Sequence, residues 1–398
     1  MTVTVGFLGA GQQAGFHARS LAASGADFAF GRVLDADGER AAEFASWTGT
    51  EVSVTEGEVV DTCDAVYVCT WTSEHPRLVT LAAERGKAVF CEKPLATTCG
   101  AAAAMVESVD AAGVVNQVGL VLRSSNSFAL LRHLVDDPAS GRLLSVTFHD
   151  DQILPVDGWY QSTWRSDPAR AGSGVLLEHS IHDVDLLELI GGPLTSVAAS
   201  TSNTHGIEGI EDLVTATFTY GSGAQATLTT VWHDIPERLN DRRVEVVGER
   251  LWTSLEGDWI GPLRWQRPGQ AVETLAGAAL LERVEGLGLT RANADGAFVT
   301  AVADGSVATP GFDDALRAHV IVDATYRAAA TRTVCRFRHA DRRSGPRRSR
   351  RWRAARRGRA ARPAAGPSRS DRARPRARRR PPTAAARGRA GRRTPSPP

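Results

Sequence analysis

Residues 2–24 read TVTVGFLGAGQQAGFHARSLAAS, and this stretch decides the fold of the first half of the chain. TVTVGFL is apolar and rich in β-branched side chains, which predicts a strand. The turn GAGQQA at 9–14 follows at once, and FHARSLAAS then reads as a helix. A helix entered this way has unpaired first amides, and its dipole favours an anion there. Gly9 permits the tight bend, Gly11 lets the main chain approach a pyrophosphate, and Ala14 takes the third position with Gly15 beside it. Gly9, Ala10, Gly11, Gln12 and Gln13 are therefore candidate cofactor-binding residues.

The same alternation continues outward. FAFGRVLD (28–35), DAVYVCT (64–70), KAVFCE (87–92) and VVNQVGL (114–120) predict strands. ADGERAAEFASW, EHPRLVTLAAERG and a run at about 98–112 predict the helices between them. Strands and helices alternating at this length imply an α/β fold with a parallel sheet and right-handed crossovers. Asp35 ends the second strand, 24 residues after Gly11, where a carboxylate accepts hydrogen bonds from both ribose hydroxyls and repels a 2′-phosphate. NAD is expected over NADP, with Arg40 one turn further on as the residue that would accommodate NADP. A flavodoxin-like sheet without a nucleotide is the alternative.

Two further stretches carry chemistry. Lys93 stands directly after the strand KAVFCE, in CEKPL (91–95). GSGVLLEHSIHDVD (172–185) reads as a glycine-hinged entry to a helix over 174–190, with Glu178 and His182 four residues apart on one face. An amine, an imidazole and a carboxylate form a proton-handling set. The alternative for Glu178 and His182 is an ordinary surface pair, but Leu177, Ile181 and Val184 make the neighbouring stripe largely apolar.

Charge is unevenly spread over the 398 residues, whose formal net charge is +2. From His339 onward there are 22 arginines against two aspartates, about +20, leaving about −18 on the remainder. An acidic folded part gives no reason to expect nucleic acid or an anionic membrane as partner. No apolar run approaches the ~20 residues of a membrane span and no leader pattern opens the chain, so a cytoplasmic location is expected. Five cysteines without a CxxC pair fit free thiols in a reducing compartment. No paired-cysteine pattern points to a metal, and the HxxH spacing of His179 and His182 is not read as a metal site. The tail over 339–398 contains no Leu, Ile, Val, Phe, Met or Tyr, so it cannot build a core and is expected to be disordered. A nucleic-acid-gripping arm is one reading. Two lysines against 45 arginines in the whole chain suggest a GC-rich gene, whose out-of-frame translation yields the same mixture.

At this point the chain resembles the glucose–fructose oxidoreductase/inositol dehydrogenase (Gfo/Idh/MocA) family. GFLGAGQQA, DAVYVCTWTSEHPRLVTLAAERGKAVFCEKPLA, GSGVLLEHSIHDVDLL and PGFDDALRAHVIVDATYRAA carry the resemblance, in the family's order and spacing. It implies a Rossmann NAD(P)-binding domain over 1–122 and an α+β domain over 123–338 with a large open, mostly antiparallel sheet. That sheet's free face would mediate a homodimer or homotetramer. Segments 142–151, 211–220, 222–233 and 243–249 read as its strands, with an antiparallel turn at Gly221–Gly223 and a helix at about 311–330 near the end.

The resemblance implies an oxidoreductase moving a hydride between a nicotinamide and a secondary hydroxyl of a sugar, cyclitol or related polyol. Lys93 and His182 would flank the reacting carbon, with His182 the better base and Lys93 either polarising the oxygen as a cation or relaying the proton if burial lowers its pKa. Glu178 stands where the family commonly has Asp, so its reach differs. Thr70, Trp71, His75, Glu92 and Lys93 fall in cofactor-binding segments, although the family's usual Pro is Trp71 here. Arg123 and Trp164 stand where substrate or nicotinamide is often contacted; Arg123 as an ion-pair partner and Trp164 as core are the alternatives. His179 either lines the pocket or pairs with Asp183, and His149 is expected to be structural. A redox-neutral sugar-modifying reaction with retained NAD is the enzymatic alternative, and a non-catalytic NAD sensor is the alternative outside catalysis.

Overall fold

The computed structural model describes residues 1–156, 160–238 and 240–337; the arginine-rich tail lies outside the described residues. The first half runs β1 (Val3–Leu8), α1 (Gln12–Ala23), β2 (Phe28–Leu34), α2 (Gly38–Thr48), β3 (Glu51–Val52), α3 (Glu56–Thr62), β4 (Ala65–Val68), α4 (His75–Glu84), β5 (Ala88–Cys91), α5 (Cys99–Ala112) and β6 (Asn116–Val118). The six strands form one parallel sheet in the order β3-β2-β1-β4-β5-β6. β4 and β5 are buried at every position, as strands covered by helices on both faces must be. Strand order reverses between β1 and β4, which opens a crevice at the carboxyl ends of the strands. The turns after β1, β4 and β5 carry Gly9–Gly11, Thr70–Trp71 and Glu92–Lys93 respectively, so three segments distant in sequence converge there.

The second half runs α6 (Asn126–Asp136), β7 (Leu143–Ile153), α7 (Pro168–Ala171), α8 (Val175–Glu178), α9 (Ile181–Gly191), β8 (Leu194–Ser202), β9 (Leu213–Tyr220), β10 (Gln225–His233), β11 (Asp241–Gly248), β12 (Trp252–Leu255), β13 (Leu263–Gln266), β14 (Glu273–Leu275), α10 (Gly277–Gly286), α11 (Ala294–Asp304), α12 (Phe312–Thr331) and β15 (Cys335–Arg336). Its nine strands lie in the order β14-β13-β12-β11-β7-β10-β9-β8-β15. Only the β7–β10 pair is parallel, and the β9–β10 hairpin turns at Gly221–Gly223 as its glycines suggest. Alternate burial along β9, β10 and β11 leaves one face under α6, α9 and α12 and the other open.

Two departures from the sequence reading bear on the site. The single helix expected over 174–190 is two helices, α8 and α9, interrupted at His179–Ser180. Ser180 is fully buried and its hydroxyl bonds Thr230 (2.5 Å) and Asp150 (3.3 Å), both on the sheet below. Those bonds draw the turn toward the sheet, so Glu178 and His182 do not stack on one helical face.

The chain also returns to the parallel sheet late. Phe298, Val299 and Ala301 of α11 join the cluster of Val3, Val5 and Phe7, while Phe312 and Ala315 of α12 join that of Val66, Val89 and Val118. Residues far along the chain therefore complete the core of the parallel-sheet half.

Candidate active site

The turn after β1 is shaped by close approach. Gly9 has φ +95°, and a Cβ there would sit 2.4 Å from the carbonyl oxygen of Cys69 at the end of β4. Glycine alone relieves both constraints. α1 begins after Gly11 with no side-chain cap and no acidic residue in its first turn, so its leading amides keep their donor capacity. A Cβ at Gly11 would meet nothing within 4 Å, which leaves open space in front of those amides. Asp35 braces the loop, its Oδ2 accepting from the Ala10 amide (2.7 Å) and its Oδ1 from Asp37 (2.8 Å). The half-exposed Arg40 leans on Asp35 (3.4 Å) and Asp37 (3.3 Å). An uncapped helix end, an open cradle and a carboxylate beside it fit a dinucleotide.

Lys93 reaches across from the turn after β5 and donates through Nζ to the main-chain oxygen of Glu178 at 2.6 Å. Burial pushes its amine below the usual value, with Glu92 pulling the other way. His182, in the first turn of α9, is pushed well below 6.5 by burial first and then by the positive charge of Lys93, Arg242 and His179. Its buried Nδ1 has no hydrogen-bond partner among the described residues. The site thus contains a neutral imidazole under the direct influence of an ammonium.

Glu178 is 2% exposed, and its carboxylate hydrogen-bonds to neither of these groups, although its charge pulls the Lys93 pKa upward. Its Oε1 accepts from the Thr72 hydroxyl (2.7 Å) and its Oε2 from Arg165 Nε (3.3 Å). Gly174 starts α8, where a Cβ would lie 1.8 Å from the Glu211 carbonyl oxygen. The Glu211 carboxylate accepts from the amides of Gly174 (2.7 Å) and Leu176 (3.0 Å). The glycine-rich entry is therefore pinned from below and delivers Glu178 to Thr72, 106 residues earlier in the chain.

The remaining candidates have well-defined partners. His179 lies 2.8 Å from Asp150, not against Asp183; Asp183 instead accepts from Arg242 Nε at 2.6 Å. Arg242 also bonds Asp150 (2.9 Å), and its charge, with that of His179, holds Asp150 far below the usual carboxylate range against burial. Arg123 is engaged by Asp185 (2.7 and 2.5 Å) and by Asp314 (3.3 Å). Trp164 packs against the core of the second half and carries the Arg165 guanidinium 4.4 Å above its ring. Trp71 is stacked by Arg170 at 4.0 Å, and Thr70 bonds only weakly to the Trp71 oxygen (3.4 Å). His75 is buried with its ring nitrogens 2.9 Å from the Pro94 oxygen and 3.2 Å from the Thr70 oxygen, and the neutral ring donates to one of the two. His149 pairs with Asp151 at 3.0 Å.

Thr72, Arg165, Asp150 and Arg242 escaped the sequence reading. Arg165 adjoins the singled-out Trp164 and Thr72 lies two residues past Thr70; nothing local marks Asp150 or Arg242.

Residues 3–120 match the model of an oxidoreductase family with an NAD-binding Rossmann fold, and residues 128–253 match the GFO/IDH/MocA C-terminal domain. The chain belongs to the Gfo/Idh/MocA oxidoreductase family. Among relatives of the family, 1,5-anhydro-D-fructose reductase of Ensifer adhaerens is 33% identical over 231 residues, covering 56% of this chain and 68% of the relative. Inositol 2-dehydrogenase of Rhizobium meliloti is 28% identical over 347 residues, covering 83% and 98%. The solved complex of levoglucosan dehydrogenase with NADH and levoglucosan shares the fold, with TM-score 0.76 and 23% identity over 85% of this chain and all of that one. The family is an NAD-binding one, and the turn after β1 fits that cofactor by its own geometry. Among the described residues no helix is long and apolar enough to cross a membrane.

Proposed function

We propose that the chain is an NAD-dependent dehydrogenase that interconverts a secondary hydroxyl and a ketone on a sugar, cyclitol or related polyol. NAD, when bound, supplies the ring carbon that accepts or returns the hydride. The observation that carries the reading is a neutral imidazole, His182, electrostatically coupled to the Lys93 amine at the strand ends. In the oxidation direction His182 takes the hydroxyl proton, and the Lys93 ammonium holds the oxygen as its negative charge develops. Burial, reinforced by the Lys93 charge, keeps His182 unprotonated, and so ready to act as a base, at neutral pH. Glu178 orients Lys93 through its main-chain oxygen while Thr72 and Arg165 hold its side chain. The relatives named for anhydrofructose and inositol support a polyol substrate. Gly9, Ala10, Gly11, Gln12 and Gln13 would hold the pyrophosphate, and Asp35 the adenosine ribose.

A panel of sugars and inositols, followed at the NADH absorbance band with NAD and NADP in parallel, tests the reading. Turnover of at least one polyol is expected, faster with NAD. Failure with every polyol, or a preference for NADP, would sink it.

The open sheet face presents Thr147, Thr215, Thr217, Thr227 and Glu245, and we infer that a second copy of the chain covers it. Light scattering is expected to give a dimer or tetramer; a monomer at micromolar concentration would refute this. All five cysteines are free, which supports a reducing, cytoplasmic setting.

A further inference from the structure

One buried imidazole lies between two carboxylates. His17, on α1, is fully buried, with Nδ1 2.7 Å from Asp295 Oδ1 and Nε2 2.6 Å from Glu92 Oε1. A neutral imidazole offers one N–H and one lone pair, so it would satisfy one carboxylate and repel the other. The imidazolium donates to both. Burial opposes the charge, yet the hydrogen bonds to Asp295 and Glu92 outweigh it and raise the pKa from 6.5 to about 9. The rings of Phe90 and Tyr67 lie beside the cation, at 4.7 and 5.7 Å between centroids. Tyr67 and Cys69, the other titratable groups nearby, are pushed up by burial and stay protonated.

The network leads to the reacting amine. Glu92 Oε2 accepts the main-chain N–H of Lys93 at 2.9 Å. Gly119 makes room for this, since a Cβ there would lie 2.6 Å from Glu92 Oε1. Asp295 comes from α11, 278 residues after His17, on the segment that returns to the parallel sheet. Resting on Lys93 as the reacting amine, we propose that His17 is a positioning residue. As a fixed cation it clamps Glu92, and through Glu92 the main chain of Lys93, to the helix whose amides face the cofactor's phosphates. Placement of the amine and shaping of the phosphate site then belong to one rigid piece, closed from outside by α11.

The test uses the full chain without cofactor and then in turnover. With 15N-labelled histidine, one of the ten histidines is expected to keep both ring N–H groups up to about pH 9, and that signal vanishes in His17→Gln. The chain holds only two lysines, so in 13C-lysine spectra the Lys93 signals are expected to move in His17→Gln while those of Lys87 stay. In turnover, His17→Gln is expected to lower kcat by about 10²-fold, the scale of a small misplacement of a reacting group, with polyol KM changed less than about threefold. Asp295→Asn carries the test if His17→Gln does not fold. Its kcat is expected near wild type at low pH and to fall with pH as His17 loses its proton, a limb the wild type lacks below about pH 9. A His17 neutral at pH 7 overturns the proposal. So do Lys93 signals and kcat that stay at wild-type values in His17→Gln, or a kcat that follows wild type across the whole pH range in Asp295→Asn. A wild type that turns over no polyol defeats the substrate reading instead, and the spectra still decide His17.

Discussion

Lys93→Met is expected to lower kcat for polyol oxidation by about 10³-fold while NAD affinity stays within a few-fold of wild type. Methionine keeps the length and flexibility of the side chain and removes only the ammonium. Two losses combine. The developing oxyanion loses its cation, and the Glu178 main-chain oxygen, which accepts from Nζ at 2.6 Å, loses its partner. Lys93→Arg is expected to fare little better, because it keeps the charge but its guanidinium is broad and planar where the amine is a compact point charge. The groups proposed to hold NAD, α1 and Asp35, are touched by neither variant. Steady-state kinetics with fluorescence titration of NAD separate the effects; a kcat within tenfold of wild type would remove Lys93 from the chemistry.

His182→Asn is expected to cost about 10²–10³-fold in kcat/KM for oxidation and to erase the acid limb of its pH profile. The sign follows from the environment. Burial, reinforced by Lys93, Arg242 and His179, holds the imidazole pKa well below 6.5. The base is therefore already free at neutral pH, and activity declines only as acid protonates it, below 6.5. Asparagine keeps polarity and approximate size but takes no proton in this range, so its residual rate should lack that limb. An acid limb unchanged in His182→Asn would assign proton removal to another group.

Much of the fold was legible because its signals are local. The β1–α1 turn, the buried strands β4 and β5 and the Asp after β2 announce themselves through periodicity and glycine placement within a few residues. The edge strand β3, only two residues long, and the short helix α3 offered no such pattern. The break between α8 and α9 was invisible for a different reason. VLLEHSIHDVDLL has unbroken helical spacing, and what interrupts it is a buried serine bonded to Asp150 and Thr230 on two strands of the sheet. That same break turns the Glu178 carboxylate toward Thr72 and Arg165, so the expected stacking of Glu178 on His182 gave way to tertiary hydrogen bonds.

The amino-acid order by itself determined that a parallel sheet forms, that a glycine turn opens a helix end to phosphate, and that an amine stands at a strand terminus. Each follows from backbone hydrogen bonding and side-chain periodicity, which act between near neighbours. Only the tertiary structure decided which ionisable groups meet: His17 between Glu92 and Asp295, Arg123 with Asp185, Lys93 on the main chain of Glu178. Charge state and hydrogen-bond partner depend on distance through space and on the exclusion of water. Neither quantity is written in any short run of residues when the partners stand 278 positions apart.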